Sequence, residues 1–276
     1  QFAIRDPKIN LFETVLRVVK SEMDAYSARS GRHLRAIAGV CGEAPQAVAE
    51  AKLAGSIGYD AVLVSPGGLG HLTEEQLIER TRLIAEVMPV VGFYLQVAVG
   101  GRVFSYDYWQ KVCAIQNVVA VKAAPFNRYL TADVARAIAF ADHEITLYTG
   151  NDDSIVTDLL TTYSFQDGDK VRTCRVKGGL LGHWSAWTKT AVDMFRKIQA
   201  LPEDQPISPE WYTLAAQVTD VNSAFFDSRN NFAGVIAGMH EVLRRQGLLK
   251  GIWCLDPEEG LGKGLAQLRL AHAGGT

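Results

Sequence analysis

The chain lacks the sequence features that mark secreted, membrane-spanning and nucleic-acid-binding proteins. Its four cysteines lie far apart, form no C-x-x-C pair and have no histidine close by in the sequence, so we expect reduced thiols and a cytoplasmic protein without a metal site. The net charge of -2 gives no electrostatic reason to expect nucleic acid or an anionic membrane surface as a partner. The longest uncharged apolar run, residues 87–101, contains a proline and a glutamine and is too short to span a bilayer.

The most informative segment that is present runs from Asn117 to Pro125, NVVAVKAAP. Its four consecutive apolar residues predict a strand buried on both faces, as in parallel sheets, and the proline ends the pattern. Lys122 thus falls at the C-terminal end of a buried strand, where desolvation disfavours the ammonium form and lowers the pKa of the amine. A lysine in this state is a nucleophile toward carbonyls. A lysine whose head group reaches solvent or pairs with an acid also fits the strand.

Strands alternate with helices along the first two thirds of the chain. Further short apolar runs predict strands at about 34–40, 60–65, 89–96, 144–149 and 174–181. Helical patterns lie between them, including one that begins at Thr73, with Gln76 completing a capping box, and one at 154–165. This alternation predicts a parallel sheet with right-handed crossovers. The close, regular spacing of six strands is typical of a (β/α)8 TIM barrel, which needs eight. A doubly wound open sheet is the minor alternative.

The remainder of the chain is helical in pattern. Helices are predicted at about 184–200, 208–229, 231–247 and 258–272. We therefore expect a TIM-barrel domain at residues 1–200 and a C-terminal helical extension at 201–276. Because only six strands precede the helical part, two N-terminal β/α units of the barrel are expected to be absent from this chain.

The segments at the strand ends are AIAGV at 36–40, DAVLVSP at 60–66, FYLQ at 93–96, VAVK at 119–122, TGND at 149–152 and GGLLG at 178–182. In this order they resemble those of the dihydrodipicolinate synthase/N-acetylneuraminate lyase superfamily, over roughly residues 34–200. The resemblance implies that the strands present here are strands three to eight of the barrel. The tail, with FFD at 225–227, NFAG at 231–234 and WCLDP at 253–257, is similar to an uncharacterised, synthase-like branch of that superfamily.

The resemblance also implies a chemistry. In that superfamily a lysine on strand six forms a Schiff base with a 2-keto acid, and a tyrosine on strand five relays protons. Lys122 and Tyr94 match those positions and are 28 residues apart, a spacing similar to that of the superfamily. The resemblance therefore implies a class I aldolase, lyase or synthase that needs no cofactor, acts on a 2-keto acid such as pyruvate or a sugar-derived acid, and assembles as a homodimer or homotetramer.

The chain also departs from the superfamily's pattern. The loop after the second predicted strand carries Ser-Pro-Gly-Gly-Leu-Gly-His in place of tyrosines, so His71 becomes a candidate proton carrier. The superfamily's arginine after the tyrosine motif is matched loosely by Arg102, with Arg128 as a rival for binding an anionic substrate. Both arginines also fit solvated loop charges. The remaining candidates for substrate binding are Gln96, Asn127, Gly150, Asn151 and Gly179.

Two other functions fit the sequence. The first is a barrel enzyme acting on a sugar phosphate, with backbone N–H groups at Gly150-Asn151 and Gly178-Gly179 binding the phosphate. The second is a ligand-binding protein that kept the fold and lost turnover, suggested by the replaced tyrosine loop. The His-Glu pair at 240–241 lacks the second histidine of a zinc motif, so no metal site is predicted.

Overall fold

The computed structural model describes residues 3–202, 205–256 and 258–261. The strands in these residues are β1 (Ile37–Val40), β2 (Ala61–Val64), β3 (Val90–Leu95), β4 (Val118–Ala124), β5 (Thr146–Thr149), β6 (Thr162–Asp167) and β7 (Lys170–Gly179). The helices are α1 (Phe12–Ser30), α2 (Ala44–Ile57), α3 (Glu74–Ala85), α4 (Tyr106–Cys113), α5 (Arg128–Ala139), α6 (Ile155–Leu160), α7 (Gly182–Ala186), α8 (Thr188–Gln199), α9 (Glu210–Phe225) and α10 (Val235–Arg245). Short 3-10 helices lie at Ala3–Arg5, Val97–Val99 and Ser228–Asn230.

The strands form one sheet in the order β1-β2-β3-β4-β5-β7-β6. The six strands that the sequence predicts are all present, and each is parallel to its neighbour. Their spatial order follows the chain without reversal, as in a β/α barrel. A doubly wound sheet reverses its strand order at a switch point, so that alternative is wrong.

Local sequence explains where the helices begin. Helix α3 starts at a capping box, as the sequence predicts: the hydroxyl of Thr73 accepts the N–H of Gln76, whose side chain accepts the N–H of Thr73. Helix α2 buries Ala47, Ala51 and Ala54 completely. These small side chains at helical spacing form an apolar stripe of the kind that packs on a sheet.

A β-hairpin replaces part of a predicted helix. Only α6 is helical within the predicted segment 154–165, and β6 follows it and pairs antiparallel with β7. The two-residue turn between these strands contains Gly168, whose φ of 58° favours glycine. The guanidinium of Arg136 on α5 lies 4.4 Å from the ring centroid of Phe165 on β6, which ties the hairpin to the neighbouring helix.

The chain divides into two compact units. The first comprises residues 1–150 and 161–179 and holds the whole sheet; the second comprises residues 151–160 and 180–276. In the second unit, α7 to α10 confirm three of the four predicted C-terminal helices, while most of the fourth lies outside the described residues. Phe225, Phe226 and Val242 form its core. The division of domains at residue 200 stays a prediction.

None of the helices in the described part of the chain has both the length and the apolar character that a membrane crossing requires.

Candidate active site

Lys122 lies near the C-terminal end of β4, between β3 and β5. Side chains alternate between the two faces of a strand, so Lys122 shares a face with Ala120. Ala120 packs with Ala61 and Val91 in a buried cluster. We call this the lysine face, defined by Ala61, Val91, Ala120 and Lys122. The lysine is partly buried there.

The opposite side of the same strands is the helix face, defined by Gly92, Tyr94, Val121 and Ala123. A Cβ added at Gly92 would lie 3.4 Å from the side chain of Val121 and 3.5 Å from the indole of Trp109 on α4. Val121 and Ala123 are fully buried. This face therefore belongs to the core between the sheet and the helices.

A register shift decides which side chains meet Lys122. Val90 on β3 pairs with Val118 on β4, an offset of 28 residues, but Val91 pairs with Ala120 and the offset is 29 from there onward. Val119 is thus the extra residue of a β-bulge. Because a one-residue shift exchanges the two faces of a strand, Phe93 lies opposite Lys122, and Tyr94 lies opposite Ala123.

Tyr94 therefore lies on the opposite face of the sheet from Lys122, whereas the resemblance in sequence implies that the two residues act together. The ring of Tyr94 packs 5.3 Å from that of Trp109 and 5.5 Å from that of Phe104, centroid to centroid. Its hydroxyl accepts the N–H of Phe104 at 3.0 Å and donates to the carbonyl of Phe104 at 3.4 Å. Desolvation of this buried side chain raises the pKa of Tyr94 above its ordinary value.

Gly150 fixes the stem of Lys122. A Cβ added at Gly150 would lie 2.6 Å from Cε of Lys122 and 2.8 Å from Cβ of Ala124. Such distances are far below van der Waals contact, so only glycine permits the lysine to lie this close to the backbone. The sequence singles out Gly150 for a different reason, as a phosphate-binding residue.

The structure does not support that phosphate-binding role for Gly150. Its backbone N–H donates to the carbonyl of Ala123 at 2.7 Å and so is already engaged within the sheet. Gly178 and Gly179 are likewise paired in the ladder, with Tyr148 and Thr149.

Two aromatic residues that sequence reasoning missed flank Lys122. On β3, the ring centroid of Phe93 is 4.4 Å from Nζ of the lysine. On β5, Tyr148 is the register partner of Lys122 and packs against the cluster of Ala61, Val91 and Ala120. Its ring lies so close to Gly178 that a Cβ there would be 3.1 Å away. Both aromatic residues stand inside predicted strands, but only the register assigns them to the lysine face.

Four predicted residues line a separate cavity. It has a volume of about 300 Å³ and lies between the segments that follow β3 and β4. Arg102 donates to the carbonyl of Leu72 at 2.6 Å, while Oδ1 of Asn127 caps α5 by accepting backbone N–H groups. The lining residues are Tyr94, Gln96, Val97, Ala98, Arg102, Val103, Pro125, Phe126, Asn127 and Leu130.

The remaining predicted residues lie elsewhere. Nη2 of Arg128 donates to the hydroxyl of Tyr163 at 2.6 Å. The exposed ring of His71 lies with Nε2 3.1 Å from the carboxylate of Glu43. Asn151 belongs to the second unit, where its buried amide donates to Asp158 at 3.0 Å.

The lysine face combines an amine with an aromatic ring and a phenol. No hydrogen bond involving the hydroxyl of Tyr148 is found among the described residues. Within the same residues there is no group of three or more histidines, cysteines or carboxylates that could hold a metal ion. The arrangement suits nucleophilic attack on a carbonyl and proton transfer beside it.

No protein-family model matches the sequence, and no curated protein matches it either. Solved structures do match the fold. Dihydrodipicolinate synthase from Bacteroides thetaiotaomicron aligns with a TM-score of 0.69 and 15% identity over 93% of this chain and 78% of that one. The chloride-inhibited dihydrodipicolinate synthase of Acinetobacter baumannii, complexed with pyruvate, aligns with a TM-score of 0.70 and 19% identity over 92% and 78%.

N-acetylneuraminate lyase from Fusobacterium nucleatum, also complexed with pyruvate, aligns with a TM-score of 0.64 and 14% identity over 92% of this chain and 74% of that one. The chain thus has a TIM-barrel-like α/β fold, as these solved structures do. This confirms the fold that the resemblance in sequence implies.

Proposed function

We propose that this protein is a class I aldolase, lyase or synthase that binds a 2-keto acid as a Schiff base on Lys122. One observation carries the proposal: the amine of Lys122 lies on the lysine face between Phe93 and Tyr148, with its stem held against Gly150. Two solved proteins of the same fold bind pyruvate, which supports a keto acid as the ligand here.

The chemistry begins with the neutral amine of Lys122. Its nitrogen bonds to the keto carbon, loses a proton, and the carbonyl oxygen gains one, giving a neutral carbinolamine. Uptake of one further proton lets the hydroxyl leave as water, and a C=N⁺ iminium remains. The cation then draws in the electrons of a bond to the adjacent carbon. Loss of a proton from that carbon gives an enamine. In retro-aldol cleavage, the bond from that carbon to a hydroxyl-bearing carbon breaks instead, the hydroxyl loses its proton, and an aldehyde leaves while the enamine remains.

We assign the accompanying proton transfers to Tyr148 in place of Tyr94. Tyr148 and Lys122 are paired on adjacent parallel strands, so their backbones are about 5 Å apart and their side chains share a face. A phenol in that position can exchange a proton with the substrate next to the iminium. The ring of Tyr94, in contrast, lies on the helix face, and its hydroxyl is hydrogen-bonded to the backbone of Phe104.

Gln96, Arg102 and Asn127 share the cavity beside Tyr94, and they combine a positive charge with amide groups that suit a carboxylate or hydroxyl groups. Since Lys122 is not among the residues that line this cavity, their role in binding the substrate stays a prediction. Assembly as a homodimer or homotetramer and a cytoplasmic location stay predictions.

The decisive experiment is reductive trapping. The protein is incubated with pyruvate and a panel of other 2-keto acids plus borohydride, and the modified residue is located by mass spectrometry of peptides. We expect the mass of the reduced adduct at Lys122 and none in Lys122→Arg. Lys111→Arg is the matched control, because Lys111 is a surface lysine paired with Asp107 on α4.

The same experiment tests the alternatives. Absence of an adduct with every keto acid, or equal labelling of Lys111 and Lys122, would remove the basis of the proposal. Binding of a keto acid without an adduct would instead indicate a ligand-binding protein that has lost turnover.

A further inference from the structure

The ring of Phe93 lies beside the reacting nitrogen of Lys122. Nζ of Lys122 lies 4.4 Å from the ring centroid, inside the range of about 6 Å over which the face of an aromatic ring attracts a cation. Both side chains are partly buried. Cation–π attraction strengthens when the pair is shielded from water, so this contact is stronger than one on an open surface.

We propose that Phe93 stabilises the iminium cation that forms on Lys122 and is therefore a catalytic residue. The inference rests on the proposed Schiff-base function and deepens it. A phenyl ring has no hydrogen-bonding or acid–base group, so its contribution to the reacting nitrogen is electrostatic, through the negative face of the ring.

The charge changes along the reaction fit this role. The carbinolamine is neutral, because the proton lost by nitrogen is gained by oxygen. When a further proton is taken up and water leaves, breaking the C–O bond, the positive charge appears at the nitrogen beside the ring. Loss of a proton from the adjacent carbon then gives the neutral enamine. A ring beside the nitrogen thus favours the iminium over the neutral states on either side of it.

The backbone holds the amine in this position. The bulge at Val119 aligns Phe93 with Lys122, and Gly150 lies against Cε and Cγ of the lysine on the side of β5. The stem therefore lies between a ring on one neighbouring strand and a bare backbone on the other. This preorganisation makes the ring's effect available without rearrangement when the iminium forms.

The test replaces Phe93 by phenylalanines carrying one, two or three ring fluorines. Fluorine withdraws the negative charge from the ring face while nearly preserving its shape. Trapping by borohydride is measured against pyruvate concentration at the same alkaline pH in every variant. We expect the half-saturating pyruvate concentration to rise with each fluorine, by about tenfold in total.

The chain offers a matched control. Phe165 on β6 also faces a cation, with the guanidinium carbon of Arg136 at the same 4.4 Å from its centroid, but it belongs to the hairpin. The same fluorinated residues at position 165 should leave the half-saturating concentration unchanged. Phe93→Leu, which removes the ring, should weaken trapping in the same direction as three fluorines.

Three other results would contradict the inference, and each points to a different cause. An unchanged half-saturating concentration with three fluorines at position 93 would remove the role of the ring and leave the Schiff-base function standing. Equal weakening from fluorination at 93 and 165 would mean a general effect on the fold and would also remove it. No adduct in the unmodified protein with any 2-keto acid would overturn both proposals.

Discussion

The two faces of β3 and β4 are built from adjacent residues but have opposite chemical characters. On the lysine face, Phe93 lies beside the amine of Lys122, and the phenol of Tyr148 lies on the next strand. On the helix face, Tyr94 packs among aromatic rings, and its hydroxyl is hydrogen-bonded to the backbone of Phe104. The bulge at Val119 determines which aromatic residue reaches the lysine. Which side chains lie beside the lysine therefore depends on the register of the strands as much as on residue type.

The largest expected effect comes from removing the hydroxyl of Tyr148, with Tyr94 as the comparison. Tyr148→Phe should slow the exchange of the methyl protons of pyruvate for deuterium by at least about a hundredfold, because the enamine forms only when a proton is carried away. Trapping of the imine should persist in this variant. Exchange is followed by NMR in D₂O.

Tyr94→Phe is the matched control for that experiment, since it removes a hydroxyl from the opposite face of the same sheet. Its exchange rate should stay within about twofold of the unmodified protein. The reverse pattern, with slow exchange in Tyr94→Phe and normal exchange in Tyr148→Phe, would restore the tyrosine that the sequence indicates.

The next largest effect concerns the position of the lysine. Gly150→Ala places a methyl group 2.6 Å from Cε of Lys122, so the stem of the lysine must shift and carry the amine out of its present position. Displacement of a reacting group by about 1 Å can cost a hundredfold in rate, and we expect a loss of trapping rate of ten- to a hundredfold.

Gly39→Ala is the control for Gly150→Ala, because a Cβ at Gly39 on β1 meets nothing within 4 Å. It should trap pyruvate normally. Undiminished trapping in both alanine variants would show that close contact with Gly150 does not position the amine.

A smaller effect, on stability, is expected when the hydroxyl of Tyr94 on the helix face is removed. Tyr94→Phe leaves the buried N–H of Phe104 without its acceptor at 3.0 Å, which costs about 1–3 kcal/mol of the free energy of unfolding. Urea denaturation measures the loss. Tyr129→Phe serves as the control, because Tyr129 is 85% exposed, and a loss of equal size there would contradict the argument.

The smallest effect is a pH dependence of stability. Burial raises the pKa of Tyr94 in the folded protein, so above about pH 10 the unfolded chain releases a proton that the folded one retains. This linkage lowers the free energy of unfolding as pH rises through that region. Urea midpoints at pH 8 and pH 10.5 should therefore fall less in Tyr94→Phe than in the unmodified protein.

Much of the fold follows from local pattern. The six parallel strands lie where short apolar runs predict them, and Thr73 begins its helix with the predicted capping box. The hairpin of β6 and β7 is missed because β6 is largely polar and partly exposed. Its strand conformation comes from pairing with β7 rather than from an apolar run of its own.

For the candidate site, the sequence predicts an aldolase-type lysine at 122, and the structure places that residue on a partly buried strand end beside two aromatic residues. The predicted tyrosine partner fails because a spacing of 28 residues implies an unbroken ladder between β3 and β4. A bulge leaves no mark in one sequence that distinguishes it from regular pairing.

The sequence by itself determined the alternation of strands and helices and the position of Lys122 at a buried strand end, since both depend on the order of apolar and polar residues along the chain. Only the tertiary structure decided that Phe93 and Tyr148, and not Tyr94, share a face with that amine. The physical reason is that the identity of neighbours across strands depends on register, and a shift of one residue turns every following side chain to the other face.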